Sequence, residues 1–288
     1  MAWVDLAQSL SSGILMGLIF ALVAVGLTLI WGIMDIVNFA HGDFLMSGMY
    51  VSFWMYTLWG IDPLLSLPVS AALLFLLGTV LYRLVIRHIV GAPMLIQIFA
   101  TFGVMIFLRY VAFYFFTPNY RTVQEPFLAG KIGIHGVYIA VPQLVAALGA
   151  FFTTGVVYVL IHRTRLGGAL MATAEDREAA ALMGIDTDRM FTLAWGIGAA
   201  TAGIAGSLLS TFFYIFPEVG GIFGLIAFVA VTLGGFGNVA GAFVAGILIG
   251  IVEALAGHLY DPALKSVFVY ALFLGVLFFR PQGLLGVE

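Results

Sequence analysis

Nine apolar stretches, separated by short polar or Gly-rich breaks, occupy most of this chain: 10–33, 44–60, 64–86, 94–116, 141–162, 190–215, 222–235, 240–257 and 265–279. A hydrocarbon core of roughly 30 Å takes about 20 helical residues to cross. The runs at 44–60 and 222–235 fall below that length and border Gly-rich breaks, so they read as half-helices or re-entrant elements. Continuous apolar runs, lacking the alternation of barrel strands, specify helices. The expected fold is all-α: a polytopic integral membrane protein of about 8–9 transmembrane or re-entrant helices, with 1–288 as a single transmembrane domain. Only 9% of the residues are charged, against about a quarter in soluble domains.

The same composition excludes several classes. With no Cys, disulfides and thiolate metal sites are ruled out, and a net charge of −3 without a clustered basic face argues against a nucleic-acid partner. Met1-Ala2-Trp3-Val4-Asp5 lacks the basic start of a cleaved signal, and the apolar run behind it is longer than a signal core, so the first helix is expected to stay. Lys and Arg set the orientation. Arg83, Arg87, Arg163, Arg165, Arg177, Arg189 and Arg280 fall on one side of alternate loops, and Arg121, Lys131 and Lys265 on the other. That excess makes the first side cytoplasmic. Nine crossings then place the N-terminus outside, unless one short run is re-entrant and changes the parity. The 117–140 connection is external, and the alternation over 130–137 predicts a small hairpin. Trp3, Trp54, Tyr56, Trp59, Tyr120 and Tyr260 fall at span ends, as interfacial aromatics do.

Charge concentrates in one place. Between Arg163 and Arg189 lie nine of the chain's formally charged side chains, flanked by apolar runs on both sides. Thr173 with Asp176 three residues on fits a capping box, Ala-rich sequence follows, and Gly184 is the residue type that ends a helix in the left-handed conformation. This predicts a short helix over roughly 174–183, then a second short element starting near Asp186, which is able to cap the approach to the next span. Glu175, Asp176, Arg177 and Glu178 on one exposed turn would suit docking of a soluble partner. A solvated loop with no partner is the plainer alternative.

The stretch EAAALMG at 178–184 resembles the EAA-x-x-x-G signature of permease subunits of bacterial ABC importers. The I-x-L-P end of the longer signature has no matching Pro here, which points away from the commonest importer permeases. Across nearly its whole length the chain resembles the branched-chain amino acid permease family instead, through GLIFALVAVGLTLIWGIMDIVNFAHGDFLMSGMY at 17–50, RTRLGGALMATAEDREAAALMGID at 163–186, GGFGNVAGAFVAGILIGIVEAL at 234–255 and RPQGLLG at 280–286. The resemblance implies a pore-forming subunit of an inner-membrane, ATP-driven importer. It also implies that 163–189 is a cytoplasmic coupling loop, with Glu175, Asp176, Arg177, Glu178, Ala179, Ala180 and Gly184 meeting the ATPase. The implied partners are a second related permease, two ATP-binding subunits and an external substrate-binding protein, within membrane lipid. ATP hydrolysis then belongs to the partners, and this chain needs no cofactor. Urea and short-amide importers share the family, so the substrate is a branched-chain or related small amino acid, or an amide.

Two breaks carry the remaining polar features. Asn38, His41 and Asp43 interrupt the first apolar region, and polar groups at membrane depth face a cavity or pair internally. They are candidates for the translocation path; the other reading is a cytoplasmic turn in which Asn38 and Asp43 cap the next helix. One His and one Asp supply too few ligands for a metal and no nucleophile. Gly237 and Asn238 mark the second break and are the other path candidates, with close Gly-mediated helix packing as the competing explanation. Asn238-x-Ala240 repeats Asn38-x-Ala40, a weak sign of two related halves. Arg109 and Glu253 lie within spans, near the external end of each helix, where snorkelling or mutual pairing competes with transport chemistry. An ion-coupled transporter or channel is the alternative function, weakened by the scarcity of intramembrane acids and bases. An intramembrane enzyme finds no Ser-His, paired-carboxylate or His-rich cluster at usable spacing.

Overall fold

The structure, a computed structural model, describes residues 2–124 and 126–286. It is an all-α membrane protein with one small hairpin: α1 (Ala2–Met34), α2 (His41–Trp59), α3 (Pro63–Leu84), α4 (Met94–Phe116), β1 (Lys131–Ile134), β2 (Val137–Ala140), α5 (Val141–Arg163), α6 (Arg165–Glu175), α7 (Arg177–Leu182), α8 (Thr187–Leu209), α9 (Val219–Gly234), α10 (Val239–Leu259) and α11 (Lys265–Phe279). Among the described residues, seven helical segments are long and apolar enough to cross a membrane, and α2 and α9 are not among them. The hairpin forms where the alternation places it, closed by His135 and Gly136, both at positive φ.

Two ends differ from the hydropathy reading. α1 begins eight residues before the apolar run at 10, and within this polar start Ser9 and Ser11 satisfy their hydroxyls by donating to the carbonyls of Asp5 and Ala7. α8 stops at Leu209 rather than near 215, because Ile215 instead exchanges backbone hydrogen bonds with Arg121 in the hairpin-side connection, at 2.8 and 2.9 Å.

The contacts establish which ends share a side. Gln8 exchanges side-chain and backbone hydrogen bonds with Tyr138, placing the α1 N-terminus beside the hairpin. Arg87 pairs with Asp188 at 3.3 Å, joining the end of α3 to the start of α8 on the opposite side. The segment after α11 returns to that second side, where Leu284 and Leu285 donate to Leu233 and Gly234. This grouping of ends agrees with the grouping of Lys and Arg, with the α1 N-terminus on the side of Arg121 and Lys131.

Helices approach closely where small residues meet. α1 and α10 run antiparallel, with Gly246 against Ala21 and Gly13 against Gly250, leaving no room for larger side chains. Buried apolar residues from α1, α2, α8, α9 and α10 form a contiguous core. The faces of α4 and α11 stay open and apolar, including Phe99, Phe107, Tyr114, Leu274 and Phe278, as a bilayer or a second membrane subunit requires.

Between α1 and α2 the chain turns back into the bundle. Asp35 takes a positive φ of 54°, its carboxylate accepting from the Trp31 indole N–H at 3.1 Å, and reverses the direction of α1. Residues 36–40 then climb beside α1 and α4: Thr101 donates to the Val37 carbonyl, and His41 Nε2 lies 2.9 Å from the Val23 carbonyl. Val23 is roughly 16 Å along α1 from Met34 at 1.5 Å per residue, so α2 begins inside the membrane thickness. At this start Gly42 crosses Gly220 of α9 backbone to backbone, a contact only two glycines permit.

Candidate functional site

The charged 163–189 segment is two helices rather than one, which corrects the expected helix over 174–183. Thr173 does not cap it: buried in the third turn of α6, its hydroxyl donates to Ala169 at 2.8 Å. Asp176 is the breaking residue, with extended backbone, and its Oδ1 accepts from the N–H groups of Glu178 and Ala179 at 2.9 Å each. Nor is there a separate second element near Asp186. That residue caps α8 directly, accepting from the Arg189 N–H at 3.0 Å.

α7 ends as the glycine implies. Gly184 has φ +83°, Ile185 donates to the Ala180 carbonyl and Gly184 to that of Ala181, each at 3.0 Å. This pair of bonds is the Schellman termination. Caps at Thr164, Asp176 and Asp186 and the turn at Gly184 make the loop a defined object. Its inner face is held by buried Leu170 and Ala180, and by the Arg177 guanidinium lying 5.2 Å over the Phe191 ring.

Glu175, Asp176, Arg177, Glu178, Ala179 and Gly184 are exposed, whereas Ala180 is buried against the bundle. Leu182 and Met183, 89% and 83% exposed, stand at the tip of the same loop and were not singled out by sequence reasoning. Two bare apolar side chains beside four charged ones make a surface able to exclude water against a partner. The helix period turns Leu182 outward once Ala180 faces inward, whereas Met183 is exposed because it stands at the C-cap beyond α7.

The loop is wired to the spans. Asp188, in the first turn of α8, accepts from the Tyr82 hydroxyl at 2.9 Å and pairs with Arg87. These contacts tie the start of α8 to the end of α3, and α8 packs along α3 and α2. Behind α6 lies a cavity of about 490 Å³ whose lining includes Thr28, His162, Glu175, Gly237 and Asn238. The second break thus sits at the bundle end that carries the 163–189 segment, with Asn238 capping α10 through Gly241 N–H and donating to the Leu285 carbonyl.

The first break lies deeper. Asn38 and His41 are fully buried; Asn38 Oδ1 accepts from Ala40 N–H, and His41 ties α2 to α1. The two Asn-x-Ala breaks share a turn-forming role but not a depth. Asp43 is also buried and receives Arg109 at 3.2 Å. Mutual pairing with Glu253, one of the alternatives for Arg109 beside snorkelling and a transport role, does not form, because the return of residues 36–40 carries Asp43 to the α4 face. Among the described residues no group of three or more His, Asp or Glu is placed to hold a metal.

A family model described as branched-chain amino acid transport system / permease component matches residues 9–277. The chain belongs to this permease family. The high-affinity branched-chain amino acid transport system permease protein BraD of Pseudomonas aeruginosa is 33% identical, over 97% of this chain and 95% of the relative. The protein of the same description named LivH, from Escherichia coli, is 34% identical with the same coverage. A probable branched-chain amino acid transport permease protein LivH from Methanocaldococcus jannaschii is 29% identical over 97% and 92%. No solved structure gives a significant match. The permease is a multi-pass protein of the bacterial inner membrane and one component of a transport system, not an enzyme.

Proposed function

We propose that this permease is the pore-forming subunit of an ATP-driven importer of branched-chain amino acids, acting with a second related permease, two ATP-binding subunits and an external substrate-binding protein. The observation that carries this reading is the rigid, triply capped loop whose exposed tip combines Glu175, Asp176, Arg177 and Glu178 with Leu182 and Met183. A solvated loop has no need of a fixed conformation or a bare apolar tip. Hydrolysis on the partners moves α7, Asp188 passes the movement to α3 and α8, and the cavity behind α6 gives the loop room to shift. Asn38, His41, Asp43, Gly237 and Asn238 are proposed as elements of the path that changes access, the first three at the deep break and the last two at its cytoplasmic end. The names of the relatives support the substrate class.

The test is reconstitution of the permease with its co-purifying partners in proteoliposomes. Leucine uptake that requires ATP and the binding protein is expected, and Glu178→Arg should abolish it while leaving membrane insertion intact. Full uptake by a normally assembled Glu178→Arg complex removes Glu178 from coupling. Uptake driven by an ion gradient, with no ATPase in the assembly, overturns the importer reading itself.

A further inference from the structure

On the external half of the molecule, the N-terminal turns of α9 and α11 enclose a cleft of about 320 Å³. Its volume falls at the low end of the roughly 300–1,000 Å³ usual for small-molecule sites. Glu218, Ser266 and Tyr270 supply its polar groups, and Ile222, Leu225 and Ile226 its apolar wall. Among the described residues, none of the three polar side chains has a partner within the chain. Glu218 by itself would be an acid favourably placed at a helix N-terminus. Its surroundings ask for more.

Arg109, on α4, does not line the cleft but approaches its edge at Gly221. Its Nη2 lies 3.5 Å from where a Gly221 side chain would begin, and Gly221, one turn after Glu218, lines the cleft. Asp43 occupies only the Nε–Nη2 edge of the guanidinium. Of five N–H donors three stay open, both on Nη1 and one on Nη2, in the fork that receives a carboxylate. Arg109 stands seven residues from the end of α4, roughly 10 Å inside it. A cation at that depth, 22% exposed, marks a water-filled path or a subunit junction rather than a lipid face.

An acid and an aliphatic wall on α9, with the guanidinium fork of α4 beside Gly221, match the three parts of an aliphatic amino-acid zwitterion. We propose that this cleft is the external reception site for aliphatic α-amino acids. Glu218 takes the ammonium group, Arg109 the carboxylate, and Ile222, Leu225 and Ile226 the branched side chain. This rests on the importer reading above and adds a substrate contact on the permease itself.

The experiment uses the reconstituted complex with its binding protein, with Glu218→Gln, Tyr270→Phe and Arg109→Gln as variants. Glu218→Gln is expected to lower leucine uptake at least tenfold in a complex that assembles normally, and Tyr270→Phe to lower it several-fold. Saturation-transfer NMR on the complex without binding protein should show leucine methyl contacts that 4-methylpentanoate, lacking the ammonium group, does not reproduce. Glu218→Gln should abolish that preference, and Arg109→Gln the corresponding preference over isopentylamine, which lacks the carboxylate. Because Arg109→Gln also unpairs Asp43, the exposed variants at 218 and 270 decide the matter if it fails to assemble. Wild-type leucine uptake matched by Glu218→Gln, with unaltered ligand preference, overturns the site alone. A wild-type complex that takes up no leucine overturns both the site and the function it rests on.

Discussion

Asp43 holds Arg109 by one edge, Oδ1 3.2 Å from Nε and Oδ2 3.3 Å from Nη2, with the carboxylate buried and the guanidinium reaching the surface of α4. The pair joins α2 to α4, two helices that otherwise touch little. Removing one partner strands the other charge within the membrane. Asp43→Asn should cost on the order of 3 kcal/mol, the lower end for a broken buried pair, since Arg109 keeps an open edge. Thermal unfolding in mild detergent measures it, and Asp43→Asn combined with Arg109→Gln should recover part of the loss. Unchanged melting of the single variant would show that the pair adds nothing to stability.

Asp176→Ala removes the acceptor for two backbone N–H groups at the start of α7. The expected cost is about 1 kcal/mol, a several-fold rise in local opening rather than global unfolding. Hydrogen exchange should quicken over 177–184 and stay unchanged in α8. If α7 holds the coupling surface, ATP-dependent uptake falls with it. Equal protection in variant and wild type would mean the cap is not what orders the loop.

At Gly184 no other atom lies within 4 Å of the position a side chain would take, so only the backbone resists substitution. With φ at +83°, Gly184→Val should cost roughly 1–2 kcal/mol, and Gly184→Asn less, because Asn tolerates the left-handed region. Comparing exchange and uptake in the two variants separates backbone geometry from loss of glycine as such. Identical behaviour of Val and Asn would contradict this account.

Gly42→Ala is a different experiment. The added methyl would meet the Gly220 carbonyl, which belongs to a packed helix and cannot swing aside. Overpacking of about 3 kcal/mol or more is expected, with loss of monodisperse protein on size-exclusion chromatography. Gly155→Ala, where nothing lies within 4 Å, should be neutral or favourable by a few tenths of a kcal/mol. A monodisperse Gly42→Ala protein with wild-type melting would show that α2 and α9 do not cross as closely as the structure has them.

The sequence by itself determined the membrane class and most helix positions, because the length needed to cross a bilayer is a local property. α4 and α11 match their apolar runs at 94–116 and 265–279. Gly184 and Asp186 were equally legible, since a left-handed turn and an N-cap depend on one residue and its neighbours. The tertiary structure decided what depends on distant partners. Thr173 and Asp176 were both able to cap, and burial of Thr173 in α6 left the role to Asp176. Leu182 and Met183 emerged as the bare tip only once the end of α7 and the inward packing of Ala180 were fixed by the fold. Arg109 found Asp43 rather than Glu253 because the chain after Met34 folds back into the bundle, a reversal carried by Asp35 at positive φ and by contacts to Val23 and Thr101. Hydrophobic periodicity records which residues avoid water; it does not record which buried charge meets which.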